Sequence, residues 1–374
     1  MQTIKRLDEL RPAVDRLRLR GELALVPTMG ALHEGHLTLV REARARASAV
    51  AVSIFVNPTQ FAPHEDLDAY PRQLAEDARL LEAEGVDLLW APPVGEVYPA
   101  EFATTVSVAG LGDGLCGAFR PGHFDGVATV VAKLFNQVQP DLALFGEKDW
   151  QQLAVIRRMA RDLDLARPAA ERILGVPTVR EADGLALSSR NRYLSAGDRE
   201  RAAALPRAMR EAAARIEDGA NVTQALAALE EALLGGGFAS VDYAELADAE
   251  SLAAMPELDE RPARLLVAAR IGGTRLIDNM AVGPSRACGS VSWTPPMEAR
   301  RSSCSARCRT RAPSPRSSPR TLRAVSITCV SKCPTSRRPA PSSRKWASAC
   351  SARHGSARTE PRSSSCIQGT WAAC

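Results

Sequence analysis

Cysteine is scarce where it would matter most. Residues 1–283 contain one, Cys116, so neither a disulfide framework nor a cysteine-built zinc ribbon is available to that stretch. No apolar run approaches the length of a membrane-spanning helix, and the opening MQTIKRLDELRP lacks the apolar centre of a secretory signal. The expectation is therefore a cytoplasmic protein with no membrane association. The first glycine-rich loop also lacks the G-x-x-x-x-G-K-[ST] pattern, which argues against ordinary P-loop NTPase chemistry. With 45% hydrophobic and 24% charged residues, the 374-residue chain falls among soluble globular proteins and is long enough for two ordinary domains.

The net charge of +5 hides two kinds of polypeptide. From Pro284 onward there are 15 Arg and 2 Lys against two acids, Glu298 and Glu360, with no Asp and eight of the nine cysteines. Residues 1–283 carry 31 basic and 41 acidic side chains, a net of −10. Segments such as RTRAPSPRSSPR (309–320) have no helical or strand period and cannot build a core, so 284–374 is expected to be a disordered Arg/Ser/Pro/Cys-rich tail. The pairs Cys304/Cys308 and Cys329/Cys333 loosely resemble a zinc site but lack its tighter knuckles. The arginines could meet nucleic acid, yet no aromatics interleave them, so nucleic-acid binding is not expected. The abrupt change of composition near residue 283 reads as a frameshift artefact.

In the body, continuous apolar runs at 22–28, 49–56, 86–91 and 141–146 alternate with helical patterns at 36–47, 72–85, 126–138 and 149–163. Strands buried on both faces and separated by helices predict an α/β, doubly wound parallel sheet of Rossmann-like type over 1–178. Two helical stretches (196–219, 221–237) followed by strand-like runs (240–246, 263–271, 274–282) predict a smaller α+β domain over 179–283.

Three stretches carry chemistry. PTMGALHEGH (27–36) sits at a strand-to-helix junction, where doubly wound sheets bind ligands. Its histidines, His33 and His36, are three apart with Gly35 between them, whereas a zinc-protease helix needs a spacing of four and a further ligand. A structural turn with solvated histidines is the plain alternative. In a phosphate-binding reading, Gly30 permits a tight turn. A helix starting near Gly35 offers free backbone N–H groups, and the imidazoles add donors. Gly146-Glu147-Lys148-Asp149 again links a strand to a helix and offers Lys148 to polyphosphate, or else is a solvated charged turn. Gly184 to Asn191 brings Ser188, Ser189 and Arg190 together, suiting a flexible loop over phosphates, although by itself such a triplet is uninformative.

PTMGALHEGHL, SIFVNPTQF (53–61), LFGEKDWQQL (144–153) and DGLALSSRNRYL (183–194) together resemble the signature blocks of the pantothenate synthetase (pantoate–β-alanine ligase) family, within a nucleotidyltransferase superfamily, over about residues 1–282. The resemblance implies condensation of pantoate and β-alanine with ATP and Mg2+, releasing AMP and pyrophosphate through a pantoyl adenylate, in a homodimer. It implies ATP contacts from Met29, Gly30, Ala31, Leu32, His33, Glu34, Gly35 and His36, with His36 at the position of the proton donor. Further ATP contacts fall to Gly146, Glu147, Lys148, Asp149 and Val179, and to Leu187, Ser188, Ser189 and Arg190. Gln60 and Gln152 match pantoate-holding positions, Gln60 also lying near β-alanine, and Asn57 supports the same pocket. Tyr70 and Asp125 are further neighbours. No resident metal is implied. A transferase moving AMP or CMP to a phosphorylated acceptor is the rival reading, but it gives the glutamine blocks no purpose.

Overall fold

A computed structural model describes residues 1–61, 67 and 70–283; the expectations for the tail at 284–374, its cysteine pairs included, lie outside the described residues. Six parallel strands form the larger sheet: β1 (Gln2–Ile4), β2 (Leu23–Thr28), β3 (Ala49–Ile54), β4 (Leu88–Trp90), β5 (Leu142–Gly146) and β6 (Ile173–Val176). Their order is β1-β4-β3-β2-β5-β6. From β2 the chain builds outward through β3 and β4, then returns to lay β5 against the other side of β2. The direction of building therefore reverses between β2 and β5. Loops leaving these neighbouring strands diverge above and below the sheet and leave a crevice at their carboxyl ends.

Alternation within the strands covers both faces. Leu23, Leu25, Ala49, Ala51, Ala143 and Phe145 pack with α1 (Leu7–Arg18), α6 (His123–Val138) and α7 (Trp150–Asp162). Ala24, Val26, Val50, Val52, Leu142 and Leu144 face α2 (Glu34–Arg46) and α3 (Leu74–Ala83). Two single-turn helices, α4 (Val94–Val97) and α5 (Cys116–Phe119), lie in the connection to α6. The parallel α/β expectation is met. β1 and β6 were not anticipated because three and four residues, the latter interrupted by Gly175, show too little pattern.

The C-terminal part contains α8 (Ala196–Ala202), α9 (Ala204–Glu217) and α10 (Val222–Gly235). These pack on an antiparallel sheet of β7 (Ser240–Asp248), β8 (Ala263–Ile271) and β9 (Thr274–Val282). The single helix expected over 196–219 is two helices. Pro206 has no N–H for the Ala202 carbonyl, and the break falls at Ala203. All described residues fall within one compact unit. Among them, no helix is long and apolar enough to cross a membrane.

Candidate active site

The crevice at the β2/β5 reversal is a cavity of about 250 Å³. One wall is the start of α2. His33 is its N-cap: its Nδ1 accepts the Gly35 N–H (3.2 Å), and the His36 Nδ1 accepts the His33 N–H (3.4 Å). The two rings lie 4.1 Å apart between centroids. A neutral imidazole with Nδ1 accepting must carry its proton on Nε2, so the helix cap fixes both tautomers. Burial lowers the His33 pKa to about 4, with Lys148 adding to the effect. Burial followed by the neighbouring His33 lowers that of His36 to about 3. Both rings are neutral Nε2–H donors at neutral pH.

The backbone differs from the expectation of free N–H groups. Gly35 donates to the His33 ring, while His36 and Leu37 donate to the His33 carbonyl (2.8 and 3.2 Å). The N–H groups of Ala31 and Leu32 are held by the buried Asp77 carboxylate of α3, at 2.9 Å each. This strap holds a turn in which Gly30 has φ +83° and Ala31 has φ 51°, a left-handed pair that strains the alanine. At this helix start the N–H groups of Ala31, Leu32, Gly35, His36 and Leu37 are already bonded, and the two imidazoles add Nε2–H donors at the cavity.

The loop after β3 supplies the amides. Asn57 is buried and donates to the Gly126 carbonyl (3.0 Å) and to the Gln60 Oε1 (3.1 Å), while its Oδ1 accepts from the Tyr98 hydroxyl (2.8 Å). Gln60 is thereby oriented, its Nε2 against the Met29 sulfur (2.9 Å). Gly126 lets α6 approach closely: a Cβ there would lie 2.4 Å from the Thr59 carbonyl oxygen. Of the adjacent glutamines, Gln151 is spent on the Leu111 and Gly114 carbonyls and the Cys116 N–H, whereas Gln152 lines the cavity. Val127, Val130, Val131 and Leu134 of α6 give an apolar floor.

Lys148 and Asp149 line the same cavity, with Lys148 Nζ 3.8 Å from the Asp149 carboxylate. Leu187 to Arg190 complete the rim; the Leu187 N–H bonds the Val179 carbonyl (3.0 Å), and Ser188 caps the turn by accepting from the Arg190 N–H (3.3 Å). Residues 179–187 form a hydrogen-bonded hairpin, with Arg180 and Ala186 paired across it, that leads into a short 3-10 turn at Ser189–Tyr193.

The cavity thus brings together Met29, His33, Gly35 and His36 with Asn57, Gln60 and Gln152. Gly146, Lys148, Asp149 and Val179 line it as well, with Leu187 through Arg190. Five of the residues expected to contact ATP do not line it. Gly30, Ala31 and Leu32 shape the turn behind it. Glu34 turns outward to Arg41, and Glu147 points to Arg264 (2.8 Å). Tyr70 lines the cavity; Asp125 does not. The motif reading missed Arg120 and His123, which face the cavity from the start of α6, His123 Nδ1 lying 2.8 Å from the Gln60 carbonyl. AFRPGHFDG follows no strand, so nothing in its local pattern marked it. Among the described residues no group of three or more His, Cys, Asp or Glu could cage a metal.

The family model described as pantoate-beta-alanine ligase matches residues 2–281. The chain belongs to the pantoate–β-alanine ligase family. Pantothenate synthetase from Novosphingobium aromaticivorans is 68% identical over 285 residues, 76% of this chain and 100% of the relative. The crystal structure of pantothenate synthetase from Thermus thermophilus is similar with a TM-score of 0.71 at 50% identity, covering 76% of this chain and 100% of the other. A pantoate-beta-alanine ligase from Francisella tularensis, solved in complex with beta-gamma ATP and beta-alanine, gives 0.64 at 33% identity with the same coverage. Members of this family are ligases, and the cleft described above is the candidate active site of this one.

Proposed function

We propose that this chain condenses pantoate with β-alanine in an ATP-dependent reaction, through a pantoyl adenylate formed in the β2/β5 crevice. The observation that carries the reading is the convergence, in one cavity, of two neutral imidazoles, Lys148, Ser188 to Arg190, and two glutamines. The ATP complex of the Francisella relative supports ATP as the nucleotide.

Gln60 and Gln152 hold pantoate, whose hydroxyls and carboxylate need both donors and acceptors, and Asn57 fixes the Gln60 amide. Gln60 also borders the β-alanine site. In the first step a pantoate carboxylate oxygen attacks the α-phosphorus; the bond from that phosphorus to the bridging oxygen breaks, and pyrophosphate leaves with the electron pair. Nε2–H groups of His33 and His36, the Lys148 ammonium and Arg190 meet the charge building on the departing phosphates. Burial keeps His36 neutral at neutral pH, so it enters the first step with its Nε2–H as a hydrogen-bond donor. In the second step the β-alanine amine attacks the acyl carbon, the bond to the adenylate oxygen breaks, AMP leaves and the amine loses a proton. The apolar floor from α6 keeps water from the activated acyl group.

Asp149 is the cavity's lining carboxylate, and with no protein cage among the described residues the donor set suits a Mg2+ that arrives on ATP phosphates. That ion would neutralise charge on the leaving group. We further propose that residues 179–283 form a lid domain on 1–178, and that the enzyme is a cytoplasmic homodimer. An AMP-release assay tests the reading. Release requiring both pantoate and β-alanine is expected, whereas AMP or CMP transfer to a phosphorylated acceptor would overturn it.

A further inference from the structure

Two segments that line the crevice, 146–149 and 187–190, are held from behind by consecutive residues of one strand. Asn279 of β9 is buried and donates from Nδ2 to the carbonyl oxygens of both Glu147 and Lys148, at 2.9 Å each. Its Oδ1 accepts from Arg264, whose other terminal nitrogen bonds the Glu147 carboxylate (2.8 Å). The Arg264 guanidinium lies 3.4 Å from the Trp150 ring centroid, stacked on the first residue of α7. The preceding residue, Asp278, is also buried; it grips Arg180 through two bonds (2.6 and 2.9 Å) and accepts the Asn279 N–H (2.7 Å). Arg180 in turn donates to the Gly184 carbonyl at the tip of the hairpin that presents Ser188 to Arg190 (3.0 Å).

We propose that Asn279 is a positioning residue for nucleotide binding: with Asp278 it ties the backbone carrying Lys148 to the hairpin carrying Arg190, setting the spacing of the two polyphosphate-gripping segments. The inference rests on the ATP-binding reading above. The geometry is specific to that task. Both amide protons go to successive peptide carbonyls of the segment carrying Lys148, and the neighbouring carboxylate secures the second segment through Arg180. A contact serving only cohesion between the sheets would not need to bind consecutive peptide groups of that loop.

The test is calorimetric titration of ATP into the full chain, with thermal melts alongside. Asn279→Ala is expected to weaken ATP binding roughly tenfold while the pantoate KM stays within about twofold. In a Lys148→Ala background the same change is expected to add less than about twofold, because the group being positioned is gone. Arg264→Lys keeps the charge but loses the planar fork, and gives a milder loss of ATP affinity in the same direction should Asn279→Ala fold poorly. Unchanged ATP affinity in a folded Asn279→Ala or Arg264→Lys variant overturns the inference, as does full additivity with Lys148→Ala. Failure of the wild type to bind ATP sinks the functional reading itself and is separable from both results.

Discussion

Replacing Asp77 should unseat the histidine loop without touching a substrate-facing atom. The carboxylate is 1% exposed and accepts the Ala31 and Leu32 N–H groups at 2.9 Å each, with Gln73 Nε2 at 3.3 Å. Asp77→Ala leaves two buried peptide donors without partners, at about 1–3 kcal/mol each, so a total near 3–5 kcal/mol is expected. For a domain of this size that lowers Tm by roughly 8–15 °C. Asp77→Asn is nearly isosteric but can turn only one oxygen to the pair of N–H groups, and its own amide N–H2 then opposes the other. It should lose at least half as much. The strained Ala31 is released, His33 and His36 lose their fixed approach to the cavity, and the ATP KM rises in both variants. Differential scanning calorimetry and initial rates at varied ATP provide the measurement. An Asp77→Asn variant with wild-type Tm and wild-type ATP KM would refute the argument that this strap sets the loop.

Other consequences are equally open to measurement. Because the folded-state pKa values of His33 and His36 lie near 4 and 3, below the unfolded value of 6.5, the unfolded chain takes up protons first as pH falls. Their contribution is complete above pH 6.5 and is lost progressively from there down to about 3–4. At pH 5.5, after discounting for the exposed ring edges, the pair should account for about 1–2 kcal/mol of lost stability that a His33→Gln/His36→Gln variant does not show in urea titrations; parallel pH slopes for the two proteins would count against the assignment. Gly126→Ala places a Cβ 2.4 Å from the Thr59 carbonyl oxygen and must shift the Asn57–Gln60 loop, so the pantoate KM should rise at least roughly tenfold with the ATP KM little changed. An unaltered pantoate KM would show that the loop tolerates the shift. Removing residues 284–374 should leave kcat and both KM values intact, and lost activity on that deletion would assign the segment a role.

The parts of this site legible in the sequence are those carried by short contiguous blocks at strand-to-helix junctions. Apolar runs marked β2 and β5, and the glycine- and histidine-bearing turns after them pointed to the crevice before any contact was known. Which members of a block face the crevice was not legible. Glu34 and Glu147 sit beside cavity-lining residues, yet their side chains run to arginines elsewhere, because one residue's advance along a helix start swings the side chain about 100°. The supports were hidden for a different reason. Asp77 reaches Ala31 and Leu32 from another helix, and Asn279 reaches Lys148 from another sheet. Such partners are set by tertiary packing and carry no local period. The fate of most backbone donors was hidden on the same ground: a helix start with free N–H groups was expected, but a histidine cap takes the Gly35 N–H and a distant carboxylate takes those of Ala31 and Leu32.

The most direct measurement follows the oxygen. With pantoate labelled by 18O in its carboxylate, attack on the α-phosphorus requires one labelled oxygen to leave with AMP when the β-alanine amine displaces it. Mass spectrometry of the products should find that label in AMP and none in pyrophosphate. AMP free of label, with the one carboxylate oxygen that the amide cannot keep passed instead to pyrophosphate or to water, would contradict an adenylate formed in this cleft.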